Sequence, residues 1–227
     1  VVAEGKLRQA ILDSLPFSLT GSQNTAVEEV LEDMAGSDRM LRLLQGDVGS
    51  GKTAVAMLAM ADAVEAGGQA VLMAPTEILA RQHYATIAKM AQAAGIEVAV
   101  LTARAKGRER TELLERIANG DARIVIGTHA LFQDSVVYHN LTLAVVDEQH
   151  RFGVHQRLRL TAKGTAPHML VMTATPIPRT LVLAAFGDMD VSKLTEKPAG
   201  RQPIATVTIP DDRLGEIVER LKTALHD

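Results

Sequence analysis

The sequence predicts a three-layer α/β fold, a mostly parallel sheet with helices on both faces. Short apolar runs at residues 41–45, 69–74, 97–101, 123–127, 141–146 and 169–173 alternate with helical stretches. Alternation of this kind marks strands joined by crossover helices. The runs are apolar almost throughout rather than at every second position, as strands covered on both faces should be. A third observation is a glycine-rich loop, residues 46–53, set between the first apolar run and an alanine-rich helical stretch at 54–66.

The bulk properties narrow the class. At 227 residues the chain can bury one good core, with a small appendage. Hydrophobic content of 47% with 22% charged residues is ordinary for a globular protein. Cysteine is absent, so there is no disulfide framework and no thiolate metal site. No apolar run approaches the roughly 20 residues that span a bilayer, and the chain does not open on a basic-then-apolar leader. A cytoplasmic protein with no membrane partner is the expectation. The net charge of −3 does not advertise nucleic-acid binding, but local distribution matters more than the sum.

Along the chain, Leu7, Ile11, Leu12 and Leu15 are spaced for one helix face that Pro16 ends. Residues 1–16 therefore read as the tail of a preceding linker helix. The stretch Phe17 to Gln23 has two readings. It can be a loop with a helix cap, Ser22 or Asn24 capping a helix over 25–35. Alternatively, Gln23 reads adenine, because an amide donates and accepts at once, with Phe17 packed on the base.

The loop reads Gly46-Asp47-Val48-Gly49-Ser50-Gly51-Lys52-Thr53. This is the phosphate-loop spacing, two glycines followed by Lys and Thr. Glycines let successive N–H groups turn toward one phosphate, and the helix N-terminus adds its partial positive charge. Lys52 would reach the β- and γ-phosphates of a nucleotide, and the Thr53 hydroxyl would ligate Mg²⁺.

Helices are expected over 77–94 and 108–119, closed by Gly95 and Gly120. In such sheets ligands sit at the carboxyl ends of the strands. Those ends carry Pro75-Thr76-Glu77, Gly127-Thr128-His129, Asp147-Glu148-Gln149-His150 and Thr173-Ala174-Thr175-Pro176, a clustering beyond what core packing requires. Asp147 stands where a second Mg²⁺-linked carboxylate belongs, and Glu148 would position and deprotonate an attacking water. His150 and His155 lack the helical His-Glu-x-x-His arrangement of a zinc site. The other histidines, His129 apart, read as ordinary surface or core residues. No acid falls between Gln149 and Gly187, whereas Arg151, Arg157, Arg159, Lys163 and Arg179 do. Arg104, Lys106, Arg108 and Arg110 form a second basic cluster. Either is a solvated face or a phosphate-backbone surface.

Taken together, five strings carry a resemblance: residues 46–53; Ala74-Pro75-Thr76-Glu77; Gly127-Thr128-His129-Ala130-Leu131-Phe132-Gln133; Asp147-Glu148-Gln149-His150-Arg151-Phe152-Gly153-Val154; and Thr173-Ala174-Thr175-Pro176-Ile177-Pro178-Arg179-Thr180. The set resembles the superfamily 2 helicases and translocases, and within them most closely the RecG family of branched-DNA helicases. The bacterial transcription-repair coupling translocases share most of the strings but typically carry a second Glu where this chain has Gln149.

The resemblance implies a RecA-like, P-loop motor lobe over 17–195, with 196–227 as a linker and the start of a second lobe. It implies ATP held by the loop and by Phe17 and Gln23, with Mg²⁺. It implies DNA-backbone contacts from Pro75, Thr76, Glu77, Gly127, Thr128 and His129, with His150, Thr173 and Thr175 coupling nucleotide state to DNA grip. The whole-protein activity it implies is remodelling of forks and Holliday junctions, with a second RecA-like lobe and a wedge domain that these residues do not contain. The family's Asp-Glu-Leu-Pro-Pro-Gly-Arg linker is altered here to Thr195-Glu196-Lys197-Pro198-Ala199-Gly200-Arg201, followed by a strand-like run at 204–209 and an amphipathic helix at 214–225. A small-molecule phosphotransferase would need a lid and acceptor pocket that the sequence does not show. A non-catalytic nucleotide module would not need Glu148.

Overall fold

The computed structural model describes residues 1–147, 167–175, 189–196 and 208–226. Its seven strands are β1 (Leu41–Gly46), β2 (Gln69–Met73), β3 (Val98–Leu101), β4 (Ile124–Gly127), β5 (Leu141–Asp147), β6 (His168–Thr173) and β7 (Asp190–Leu194). They form one sheet in the order β3-β4-β2-β5-β6-β1-β7, and every neighbouring pair is parallel. Helices α1 (Lys6–Ser14), α2 (Gly21–Ala35), α3 (Lys52–Glu65), α4 (Glu77–Ala93) and α5 (Gly107–Ala118) accompany the sheet, and α6 (Leu214–His226) follows it.

Both sheet faces are covered, which explains the unbroken apolar runs. In β2 and β4 every residue is buried. One core lies between the sheet and α1 to α4; a second lies on the opposite face, where Ile117, Phe132, Val136 and Tyr138 pack on Val71, Val125 and Val146. Helix α3 is enclosed all round, with every residue from Ala54 to Ala63 buried and all of them apolar except Asp62, which pairs with Arg8. It packs against α1, α2 and α4 as well as the sheet. A helix so enclosed has no polar face to present to water. Helix α1 belongs to this packing: Ile11 is fully buried, and the α1 amides of Lys6 and Leu7 donate to the Glu65 carboxylate at 3.1 and 3.0 Å.

Three expectations change. The helix expected over 25–35 begins at Gly21, and its cap is Thr20 rather than Ser22 or Asn24. Thr20 and Gln23 form a capping box, the Thr20 hydroxyl accepting from Gln23 N and the Gln23 amide oxygen accepting from Thr20 N. The signal was a Thr followed three residues later by Gln, in place of the commoner Glu. Strand β7 was not expected. It is an edge strand whose burial alternates, so it never shows the continuous apolar run of its neighbours. Of the strand-like run at 204–209, residues 204–207 lie outside the described set, while Thr208 and Ile209 are not strand.

Strand β7 is held by a polar anchor. Arg42 of β1, 8% exposed, donates to Asp33 at 2.7 Å and Glu29 at 3.2 Å on α2 and to Ser192 of β7 at 2.9 Å. Ser192 also donates to Glu29. Burial disfavours the guanidinium charge, but the Asp33 hydrogen bond and the two carboxylates outweigh it and hold Arg42 protonated. One side chain thus fixes a helix and two strands at once.

At the amino-terminal end of β6, His168 Nδ1 accepts from Met40 N at 3.1 Å, a bond only the unprotonated nitrogen can make. Burial, reinforced by Arg39, lowers the His168 pKa. A group whose folded pKa is depressed binds more protons when unfolded, so stability falls as pH drops below about 6.5, the free-histidine value. The urea midpoint should therefore fall from pH 7.5 to pH 5.5, and His168→Asn, which keeps an acceptor without the titration, should reduce that fall.

Candidate functional site

Because every strand runs the same way, all seven carboxyl ends lie on one edge, and many of the described residues singled out from sequence line it. In spatial order the edge carries the segment after β3 with Arg104, the β4 end with Gly127, Thr128 and His129, the β2 end with Pro75, Thr76 and Glu77, Asp147 of β5, Thr173 of β6 with Thr175 just after it, the loop after β1, and Glu196 after β7.

The loop after β1 is shaped by its glycines. Gly49 and Gly51 have φ of 79° and 88°, a left-handed region that costs an L side chain about 1–2 kcal/mol. A Cβ at Gly51 would also overlap the Gln23 amide. Gly51 is the N-cap of α3 and supplies no side-chain cap. The first amides of α3 thus meet no capping side chain, the condition for anion binding at a helix start. Lys52, the first residue of α3, donates its ammonium to the carbonyls of Gly46 at 2.5 Å and Asp47 at 3.0 Å, and so lies across the loop. Thr53 follows it, half-buried. Ser50 is buried, and its hydroxyl has no hydrogen-bond partner among the described residues. Asp47, Val48 and Gly49 are exposed. The donor set is that of a phosphate site: glycines, uncapped helix amides and a lysine.

Gln23 is tied to this loop. It is 1% exposed; its amide nitrogen donates to Ser50 O at 2.8 Å, and its amide oxygen accepts from Thr20 N at 2.8 Å. Both ends of the amide are engaged within the protein, leaving one hydrogen and one lone pair for a base. Phe17, 46% exposed, lines an open cleft of about 440 Å³ with Leu12, Pro16, Leu19 and Asn24. Glu196 closes the same corner, accepting from the α2 amides of Gly21 at 3.2 Å and Ser22 at 2.7 Å.

Register places Asp147 on this edge. Asp147 pairs with Met172 of β6, which in turn pairs with Leu44 of β1. Asp147 is therefore level with Leu44, two residues before the end of β1, and two strand spacings away, about 10 Å. Thr173, paired with Gln45, stands on the strand between them. Its hydroxyl accepts from Thr175 N at 3.2 Å, a local turn. Asp147 is mostly buried, and its Oδ2 lies 2.7 Å from His83 Nε2 of α4. Nothing in the residue pattern singles out His83, which reads from sequence as an ordinary histidine; the contact comes from how α4 docks over β3 and β4. Glu148 and His150 lie outside the described residues.

On the other flank, Thr76 caps α4 through its hydroxyl, which accepts from Leu79 N at 3.3 Å. Glu77 accepts from Arg81 at 3.0 Å and forms an ion pair with Arg104 at 3.2 Å. Pro75 is half-buried, Thr76 and His129 are exposed, and Thr128 is buried. Gly127 is closely packed, since a Cβ there would overlap the Leu101 carbonyl. The basic cluster from Arg104 to Arg110 lies beyond β3, with Arg108 on Glu112 and Arg110 on Gln133.

The DEAD/DEAH box helicase profile matches residues 20–183. The chain belongs to the DEAD/DEAH box helicase family. Within that family it is similar to proteins named ATP-dependent DNA helicase RecG, the resemblance its motifs carry. It is 49% identical over 226 residues to the one from Escherichia coli (strain K12), covering 98% of this chain and 33% of that protein. It is 52% identical over 207 residues to the one from Bacillus subtilis (strain 168), covering 91% and 30%. The chain thus spans about a third of the curated relatives' length. A RecG structure bound to a three-way DNA junction superposes with a TM-score of 0.88 at 44% identity, covering 99% of this chain and 30% of that one. The DUF1998 helicase MrfA, bound to DNA and AMPPNP, shares the fold at 18% identity and a TM-score of 0.72. The fold is accordingly RecA-like α/β, as expected. No described helix is long and apolar enough to cross a membrane.

Gly51→Ala should lower stability by about 1–2 kcal/mol for the left-handed backbone alone, with further loss from displacing Gln23. A shifted urea midpoint at unchanged denaturant slope checks this; an unshifted midpoint would show that the loop conformation carries no strain.

Proposed function

We propose that this chain is the ATP-binding motor lobe of an ATP-dependent DNA helicase or translocase that remodels stalled forks and Holliday junctions in DNA repair and recombination. The lobe spans residues 17–195, and 196–227 form a linker and the start of a second lobe. The observation that carries the reading is the shared edge: an uncapped phosphate loop and Asp147 flank β6, while the proposed DNA residues follow β2 and β4 alongside. The relatives near half identity bear the RecG name, which favours this reading over a transcription-repair coupling translocase.

In this reading Lys52 and the first amides of α3 hold the β- and γ-phosphates, with residues 46–53 wrapped around them. Phe17 packs on the adenine, and Gln23 reads its edge while bracing the loop through Ser50. Thr53 and Asp147 hold Mg²⁺, which when bound neutralises charge on the transferring phosphoryl group. Glu148 positions and deprotonates the attacking water. Pro75, Thr76, Glu77, Gly127, Thr128 and His129 meet the DNA backbone; at Glu77 the flanking Arg81 and Arg104 supply the positive charge that phosphates need. Thr173 and Thr175, on the strand between loop and Asp147, together with His150, couple nucleotide state to DNA grip.

Lys52→Ala should weaken binding of a fluorescent ATP analogue about tenfold or more, since a hydrogen bond to a charged group is worth about 1.5–3 kcal/mol. Unchanged affinity would place the nucleotide elsewhere.

In the full-length protein, Glu148→Gln should leave nucleotide binding intact and reduce DNA-stimulated hydrolysis by about 10²–10⁴; turnover that survives the change removes Glu148 as the base. The isolated 227-residue chain should hydrolyse ATP slowly, because an arginine finger from a second lobe is worth about 10³–10⁵. Fork regression assayed against displacement of a stalled polymerase separates the two motor readings.

A further inference from the structure

Asp147 does not stand alone at the end of β5. Its Oδ2 lies 2.7 Å from His83 Nε2, and both side chains are largely buried, 13% and 14% exposed. His83 belongs to α4, the helix that begins at Glu77 directly after Pro75 and Thr76. The histidine sits six residues in, about 9 Å along the axis. One helix therefore carries a proposed DNA contact at its first turn and a hydrogen bond to the proposed metal carboxylate in its second.

The link is stiff. Ala80, Ile87 and Ala91 are fully buried on the same stripe of α4 as His83, spaced for one face, so the imidazole is positioned by the packed side of the helix. Thr76 caps the first turn, and Glu77 ties it to Arg81 and Arg104. Strand β5 lies between the two halves of the edge, with β2 and β4 on one side and β6 and β1 on the other. From the β2 side, His83 reaches the Asp147 carboxylate at the end of β5. A displacement of the α4 start is carried to Asp147 with no flexible segment intervening.

We propose that His83 is a positioning residue that couples DNA held at the start of α4 to the metal–nucleotide site, by donating Nε2–H to Asp147 and setting the direction of the carboxylate's other oxygen. The proposal rests on the motor reading above. It makes a reciprocal claim, because coupling between two sites acts equally in both directions. DNA tightens the metal–nucleotide complex by some factor, that complex tightens DNA by the same factor, and both depend on one hydrogen bond.

The test uses the full-length protein, a forked DNA duplex, and Mn²⁺ with a non-hydrolysable ATP analogue. Bound Mn²⁺ is read by electron paramagnetic resonance and DNA affinity by fluorescence anisotropy, in wild type, His83→Leu and His83→Gln. Glutamine places an N–H near the position of the imidazole Nε2; leucine keeps bulk without a donor. Wild type should show mutual tightening within about 5–150-fold, the usual range of such couplings. His83→Leu should bring the factor close to one in both directions while leaving DNA affinity without nucleotide unchanged, and His83→Gln should restore most of it. The proposal is overturned if His83→Leu retains the coupling, or if leucine and glutamine lose it alike, which would mark a packing role. A wild type that binds both ligands without coupling overturns it and leaves the motor reading standing. A wild type that binds neither overturns both.

Discussion

The fold depends on a single constraint: every strand of the sheet runs in the same direction. Parallel strands require crossovers, the crossovers cover both faces, and the covered faces favour apolar residues, a buried polar group such as Arg42 or Gln69 needing its own hydrogen-bond partners. The same constraint sends seven carboxyl ends to one edge, where helix starts and loop amides remain available because the ladder has ended. Nothing in the local chemistry of Lys52, Asp147 or Thr76 would bring them together. Their neighbourhood follows from strand order, β1 beside β6, β6 beside β5, and β5 beside β2.

Within that edge the phosphate loop is held from outside as much as from within. Gln23 spans the Thr20 cap and the Ser50 carbonyl, so the start of α2 and the start of α3 are one hydrogen-bonded unit. Glu196 adds the end of β7 to that unit through the α2 amides. At the opposite end, Arg42 joins α2, β1 and β7 through charge-assisted bonds in a largely buried setting, where such bonds are stronger than in water. Helix α2 is thereby fixed at both ends relative to the carboxyl edge of the sheet.

The edge divides at β5. On one side lie the loop and Thr173, on the other the capped start of α4 and the exposed His129. The His83–Asp147 contact crosses that division. The family profile and the RecG relatives show the helicase family, and the geometry adds how the two halves of this edge touch.

The pattern of apolar runs and the glycine-rich loop determined the layer architecture and placed six of the seven strands, because a strand buried on both faces must be apolar along its length. The phosphate loop and Asp147 were legible for a similar reason: backbone curvature needs glycine, and a strand-end acid has few structural uses. Strand β7 was not legible, since an edge strand half in water keeps Lys193 and Asp190. The true cap at Thr20 was hidden by Gln standing where a capping box usually has Glu. Only the tertiary structure decided that Gln23 also braces the Ser50 carbonyl and that His83 meets Asp147. A residue's hydrogen-bond partner across 27 or 64 positions is set by how helices dock on the sheet, and docking leaves no local signature in the side chain that makes the bond.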